Sequence, residues 1–509
     1  MSKYTQKESG GLYELTDAAR AELSSSKYYN EDLAPTPVSA RTWSTYHIAM
    51  LWVGMSVCIP SFTMASSLVG LGLSPWMAVF NVILGNVIIL IPIQLNSHAG
   101  TKYGLPFPVF ARLSFGSIGA HVPSLSRALT ACGWNAVQCW IGGAAVVSLV
   151  AAFAPSFQEM AAAPFIGFAI FLFLVWWITV MGSESIKYLE AIGSPILIVL
   201  TTLLFIWSIA LAAGDGYSFG DLLDATTDYG LIEQNGGYAY IFLGGLTANI
   251  AFWATMALNI PDFSRYARSQ KAQFMGQLYG MPLAMAACAF IGAVFAQSTK
   301  LVMGEATFDP TTVLPLIDNN FIKFLVSVGV IIATITTTIA ANVVAPANGF
   351  SNVYPKKISY KVGVTIACLL AILYRPWWIF SGAGAYIFGW LNTYGGILAP
   401  VAAIFIADYY VVKKRNIDVM SLFLGKEGRY WYQGGWNIRA VIAWVLGFIL
   451  PTLGNLGVES LKWVAANGYI IGFAIAFVSY ILLMKNETVS FISKEEEEAM
   501  TEKIENIGT

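Results

Sequence analysis

The sequence predicts an all-α membrane protein of about twelve transmembrane helices. The first ten form a five-plus-five inverted repeat and two extra helices follow. Three observations predict this fold class. The 509 residues are 57% hydrophobic and only 11% charged, where soluble domains carry about 25% charged residues; mean hydropathy is +0.64. Apolar runs long enough to cross a bilayer, ~20 residues, recur from end to end. Finally, LWVGMSVCIPSF (51–62) shares Trp, Met, Ile-Pro and Phe, position for position, with FWATMALNIPDF (252–263), at an offset of 201 residues from Trp52 to Trp253.

The runs place spans one to five at 45–71, 75–96, 120–153, 163–182 and 186–213, a first repeat of about 45–213. Spans six to ten fall at 238–264, 275–298, 321–346, 359–374 and 378–411, a second repeat of about 238–411. The extra helices are at 438–456 and 466–484, closing a transmembrane domain of 43–485. The run 378–411 is too long for one straight helix, and Gly395-Gly396 with Pro400 predicts a kink there. Residues 1–42 are polar with mixed charge and no apolar core, so they read as a tail and not as a signal peptide. Residues 486–509, ending SKEEEEAMTEKIENIGT, read as an acidic tail.

Lys and Arg set the orientation. One side of the predicted spans holds Lys102, Arg112, Arg127, Lys187, Arg265, Arg268, Lys271, Lys356, Lys357, Lys361 and a cluster from Lys413 to Arg439. The other holds only Lys300, Lys323, Arg375 and Lys462, and its acidic loop 214–237 has no Lys or Arg. The expected arrangement is therefore a multi-pass protein of the cell inner (plasma) membrane with both termini cytoplasmic, embedded in the lipid bilayer.

Other function classes are poorly served. Net charge is −1, so there is no basic stripe for nucleic acid. The five cysteines lie in apolar segments and imply no disulfide framework. His47, His98 and His121 are the only histidines and form no metal-spaced pair. No phosphate loop, serine elbow or Cys–His pair is present, so neither an enzyme nor a cofactor is expected, and no stretch is long enough for a nucleotide-driven pump domain. A sensor would need an output domain larger than either tail.

An odd number of spans per repeat inverts the second copy, the layout of inverted-repeat transporters. Both matched segments carry a proline, Pro60 or Pro261, inside an apolar run. Proline removes a backbone donor, and in lipid the freed carbonyl needs another partner. A simple kink satisfies that. The paired placement favours discontinuous helices whose open backbone meets a ligand and a cation.

Span three carries GWNAVQCWIGG (133–143), in which Trp134 and Gln138 are four apart and share a helix face. Such residues also pack helices together and bond across them. Facing a cavity, Trp134 offers a flat surface to a planar ring, and Gln138 offers a donor and an acceptor matched to a cyclic amide. Span eight carries ATITTTIAANVVAPANGF (333–350), with Thr336, Thr337 and Thr338 together and Asn342 after them. The repeat offset carries Gln138 close to Asn342. Threonine hydroxyls bond back to their own helix or supply the oxygen that hard cations take. No Asp, Glu, Lys or Arg lies near the middle of spans one, three, six or eight; Glu190, Asp262, Arg265 and Asp408 fall toward helix ends. A ligand there is neutral, or its charge is met by backbone and cation.

The stretches HAGTKYGLPFPVFARLSFG (98–116), LNIPDFSRYARS (258–269), AANVVAPANGF (340–350) and LAPVAAIFIADYYVVKKR (398–415) resemble the nucleobase–cation symport family one, over about Trp43 to Lys485. The resemblance implies twelve helices with a LeuT-like inverted repeat. It implies a cation-coupled symporter importing a neutral planar amide heterocycle: allantoin, uracil or a hydantoin. It also implies roles for residues. Trp134 and Trp253 sandwich the ring, and Gln138 and Asn342 bond its edge. The carbonyls of Gly54, Val57 and Ala333 and the hydroxyls of Thr336 and Thr337 hold Na+. Both hydroxyl positions are filled, which favours Na+ over H+. Two departures stand out. Cys58 replaces an amide of the family's hydantoin transporter, and Phe252 replaces a small residue and narrows the pocket. Two alternatives stay open on the same fold: a proton-coupled purine or cytosine permease, and a carrier of a vitamin-like or nucleoside-like substrate.

Overall fold

Long apolar helices dominate the structure, a computed structural model that describes residues 6–486 apart from 182, 224, 317–318 and 355–356. Among the described residues, seven helices are long and apolar enough to cross a membrane: Pro75–Tyr103, His121–Ala151, Ala163–Val180, Gln270–Met303, Asn320–Val353, Ala385–Val412 and Ile438–Asn455. Two further spans are bent pairs, Thr45–Ser56 with Ile59–Gly70 at 55° and Glu459–Ala466 with Gly468–Met484 at 85°. The shorter apolar helices Ile198–Gly214, Tyr238–Phe252 and Tyr360–Leu373 fall at spans five, six and nine. Residues 487–509 of the acidic tail, Lys356 and the side chains of Lys187 and Glu190 lie outside the described residues.

Burial sorts these helices by depth. In span eleven 28% of the apolar window is buried, against 72% in span three and 78% in span ten. Spans three and ten are therefore central, and span eleven is peripheral. Outward-facing side chains such as Phe80, Phe173, Leu283, Leu369 and Leu482 are exposed and apolar, as a lipid-facing surface requires. Spans one, two, six and seven pack together, as do three, four, eight and nine, while span five touches both seven and eight. Small residues permit the closest approaches: Gly292 of span seven lies on the Phe62 carbonyl, and Gly143 and Gly167 face each other between spans three and four.

Both matched segments are broken, but not at equivalent places. Span one breaks at Val57 and Cys58, and Cys58 is fully extended (φ −149°, ψ 160°). Pro60 lies in the first turn of the second half, where its missing N–H costs nothing. Span six breaks earlier, at Trp253 (φ −99°, ψ 12°), and Pro261 instead starts the separate short helix Pro261–Ser264. The expected kink of span ten is also misplaced. Asn392–Ile406 stays α-helical through Gly395, Gly396 and Pro400, and π-helical turns occur at its two ends, Ala385–Leu391 and Ala407–Val412. The glycines serve packing: Gly395 rests on Ala251 of span six, and Gly396 rests on Pro451 of span eleven.

The segment expected as a tail is folded over its described part. Gln6–Ser9 pairs antiparallel with Leu12–Leu15 through Gly10 and Gly11, both at positive φ, the backbone a two-residue hairpin needs. Gln6 Nε2 donates to the Ile417 carbonyl and Gln6 Oε1 accepts from the Val419 N–H. Arg41 donates to the carbonyls of Tyr13, Thr36 and Thr101. Burial pushes its guanidinium down to about 10, so it stays charged at neutral pH. This end of the bundle also holds the short helix Phe107–Phe115. Asp408 accepts from Ser114 of that helix and from Tyr480 of span twelve.

Candidate functional site

The two helix breaks meet at one small cavity, lined from four spans. Span one contributes Met55 and Cys58, and span six contributes Phe252, Trp253, Thr255 and Met256. Span three contributes Trp134 and Gln138, and span eight contributes Thr337, Ala341 and Asn342. All six side chains expected at a ligand site (Trp134, Gln138, Trp253, Asn342, Cys58 and Phe252) line it, and among the described residues no lining residue is charged.

Each indole is held by its N–H. Trp134 Nε1 donates to Tyr394 Oη at 3.1 Å, and Trp253 Nε1 donates to Asn86 Oδ1 at 2.9 Å. Phe252 sits edge-on to both rings, with centroids 5.3 Å from Trp134 and 5.0 Å from Trp253. It thus narrows the space between the indoles. The amides are differently placed. Gln138 Oε1 is buried and accepts no hydrogen bond among the described residues. Asn342 lies in the π-helical turn Ile339–Val343, where the widened helix turns it and Ala341 into the cavity. Cys58 Sγ lies 3.3 Å from Ser61 Oγ.

An oxygen cluster adjoins the cavity. Thr337 Oγ1 donates to the Gly54 carbonyl at 3.2 Å and to the Ala333 carbonyl at 3.1 Å; Thr336 Oγ1 donates to Ala333 at 2.7 Å. Val57 and Ala333 share one small apolar cluster beside it. The five residues expected to hold a cation therefore lie together, with oxygen as their only donor type, the set a hard cation takes. Thr337 is the direct bond between span one and span eight here, and so between the two helix groups.

Side chains behind the lining residues pack toward the cavity from its two ends. On the side away from the N-terminal segment, span ten lays Tyr386, Trp390 and Tyr394 against Trp134, and Tyr386 Oη donates to the Pro60 carbonyl. On the other side, buried Arg127 of span three donates to Asn259 Oδ1 at 3.0 Å and to the Ala341 carbonyl at 2.9 Å. Asp262, beyond Asn259, accepts from the Phe107 N–H. Replacing Arg127 by Met removes a buried charge beside a buried carboxylate, which costs ~3–5 kcal/mol when the partner is left uncompensated. The purified variant is expected to melt well below the parent, and Arg127→Lys closer to it; equal melting temperatures would show that Arg127 carries no structural weight.

Several contributors escaped sequence reasoning. Thr255, Met55 and Met256 flank residues that were singled out, and only the helix break turns them inward. Asn86 and Tyr394 hold the indoles from spans two and ten, at sequence separations of 167 and 260 residues that no local pattern reports. Asn135 turns away from the cavity and accepts from Thr338 Oγ1 at 3.0 Å, tying span three to span eight.

Comparison with known proteins places this geometry in a family. Residues 35–476 match the model of permeases for cytosine/purines, uracil, thiamine and allantoin. The purine-uracil permease NCS1 of Arabidopsis thaliana is 37% identical over 463 residues, 89% of this chain and 76% of that protein. The allantoin permease of Bacillus subtilis (strain 168) is 35% identical over 471 residues, 91% of this chain and 94% of that protein. The structure of Mhp1, a nucleobase-cation-symport-1 family transporter, in a closed conformation with bromovinylhydantoin bound superposes with a TM-score of 0.75 at 22% identity. That match covers 92% of this chain and 98% of Mhp1, and it shows the shared fold. Family, relatives and fold agree: this chain belongs to the permeases for cytosine/purines, uracil, thiamine and allantoin, multi-pass membrane transporters rather than enzymes.

Proposed function

We propose that the protein is a sodium-coupled symporter that brings a neutral planar amide heterocycle, uracil, allantoin or a hydantoin, into the cytoplasm, with both termini on the cytoplasmic side of the cell membrane. The observation that carries this reading is an uncharged cavity at the paired helix breaks, walled by two indoles and two amides and adjoined by five oxygen-bearing residues. The ring stacks between Trp134 and Trp253, and Gln138 and Asn342 bond its edge. Two relatives support the substrate class, one a purine-uracil permease and the other an allantoin permease.

Coupling follows from which helices each ligand bridges. Na+ between Gly54 and Val57 of span one and Ala333, Thr336 and Thr337 of span eight ties the two helix groups together. A heterocycle between Trp253 on one group and Trp134, Gln138 and Asn342 on the other makes the same tie. Each ligand thereby favours the arrangement the other needs, and by linkage the two effects on affinity are equal. Span ten and the Arg127–Asn259 bond cover opposite ends of the path, so release to either side requires one of them to open.

The test is uptake of labelled uracil, allantoin, hydantoin, cytosine and hypoxanthine into proteoliposomes, with and without an inward sodium gradient. Saturable uptake of one compound that collapses without the gradient is expected. Uptake indifferent to sodium but driven by a proton gradient would keep the cavity and overturn the cation assignment. No uptake of any would overturn the substrate class.

A further inference from the structure

Thr255 is a polar residue on the cavity wall to which nothing so far gives a role. Its surroundings differ from those of the other hydroxyls in these helices. A Ser or Thr inside a membrane helix normally donates to the carbonyl one turn back, since lipid offers no other partner. Thr63, Thr130, Thr179 and Ser298 do so, to Ile59, Ser126, Val175 and Val294. Thr255 would turn to the Ala251 carbonyl. The break in span six intervenes: the carbonyls of Ile250 and Ala251 face the Trp253 N–H, and a new helix starts at Ala254. Thr255 is buried, 5% exposed, and lines the cavity. Among the described residues its hydroxyl has no hydrogen-bond partner.

The rest of that wall is apolar or already committed. Phe252 and Met256 carry no donor, and the Trp253 N–H points away to Asn86. On span one, Met55 is apolar and the Cys58 thiol faces Ser61. The opposite wall, on spans three and eight, presents Gln138 and Asn342. A heterocycle bonded only by those two would have polar contacts on one helix group and stacking alone on the other.

We infer that Thr255 is a substrate-contacting, specificity-determining residue: its hydroxyl hydrogen-bonds the ring edge turned away from Gln138 and Asn342, so that the substrate joins the two helix groups by hydrogen bonds on both sides. The inference rests on the substrate site proposed above. It narrows the ligand to a ring with donors or acceptors on two edges, as a cyclic ureide has, rather than on one. A site that bonds a ligand group in this way also rejects analogues lacking it, because the buried partner is left unpaired.

The experiment is equilibrium binding of labelled uracil, labelled allantoin and labelled hydantoin to the purified full-length protein and to Thr255→Val, Thr255→Ser and Thr255→Ala. Thr255→Val keeps the shape and removes the hydroxyl. It is expected to bind the wild-type ligand roughly tenfold more weakly, with Thr255→Ser within about threefold of wild type and the melting temperatures of all variants unchanged. If Thr255→Val fails to fold, the same tenfold gap is read between Thr255→Ala and Thr255→Ser. Wild-type binding retained undiminished by both hydroxyl-free variants overturns the role of Thr255 and leaves the site standing. Failure of the wild type to bind any of the three overturns the proposed substrate class and this inference with it.

Discussion

Gln138→Ala is expected to weaken substrate binding by roughly 5–100-fold, the equivalent of ~1–3 kcal/mol for one lost buried partner. The size follows from its position. Gln138 is 2% exposed and its Oε1 accepts nothing among the described residues. A buried acceptor without a donor is costly, and a ligand N–H removes that cost on binding. Trp134, one turn away on the same face, has its N–H held by Tyr394, so the face is already oriented when the ligand arrives. Gln138→Glu is the sharper control: it keeps the shape, replaces the amide by a carboxylate and removes the donor. Binding to Gln138→Ala equal to wild type would remove Gln138 from the site.

The second large effect falls on sodium. Thr337→Ala is expected to abolish the sodium dependence of uptake while Thr337→Ser preserves it. Thr337 Oγ1 lies 3.2 Å from the Gly54 carbonyl across the gap between span one and span eight. Among the described residues Thr336 bonds back only to Ala333, on its own helix, so Thr336→Ala is expected to weaken sodium dependence without erasing the contact between the groups. A Thr337→Ala protein that keeps its full sodium response places the ion elsewhere.

The helices were legible because a bilayer demands long apolar runs, and the described spans follow them closely. Their ends were less so. The polar stretch Asn96 to Tyr103 continues span two because Asn96 and Thr101 bond the carbonyls of Ala257 and Ser264, partners far away in sequence. Proline marked both broken segments correctly, yet only Pro60 adjoins its break. At Trp253 the break lies in an apolar stretch with no helix breaker, and contacts with spans two and three hold it. Gly395 and Gly396 read as flexibility, but a residue without Cβ serves equally to let helices touch, and packing decides between the two. The N-terminal hairpin was missed, since residues 1–42 read as a polar tail; the docking that holds it rests on Ile417 and Val419, some 400 residues on.

At the site, the side chains with unusual chemistry for a membrane helix (Trp134, Gln138, Asn342 and the Thr336–Thr337 pair) could be found by type and spacing. Those that hold them in place could not, because Asn86, Tyr394 and Arg127 act across the bundle. Thr255 was hidden for a different reason: one threonine in a helix ordinarily bonds its own backbone, and only the break denies it that partner.

Cys58 offers the most direct test that the cavity between Trp134 and Trp253 is where substrate sits. It is a free thiol on the cavity wall, and none of the other four cysteines, all free and buried, lines the cavity. The measurement is the rate at which a small maleimide alkylates Cys58 in the native protein, read by mass spectrometry of its peptide, with sodium present and with or without a saturating concentration of the transported heterocycle. The account predicts that the heterocycle slows alkylation of Cys58 at least about tenfold, by filling the space the reagent must enter. Alkylation at the same rate with and without bound heterocycle would contradict it.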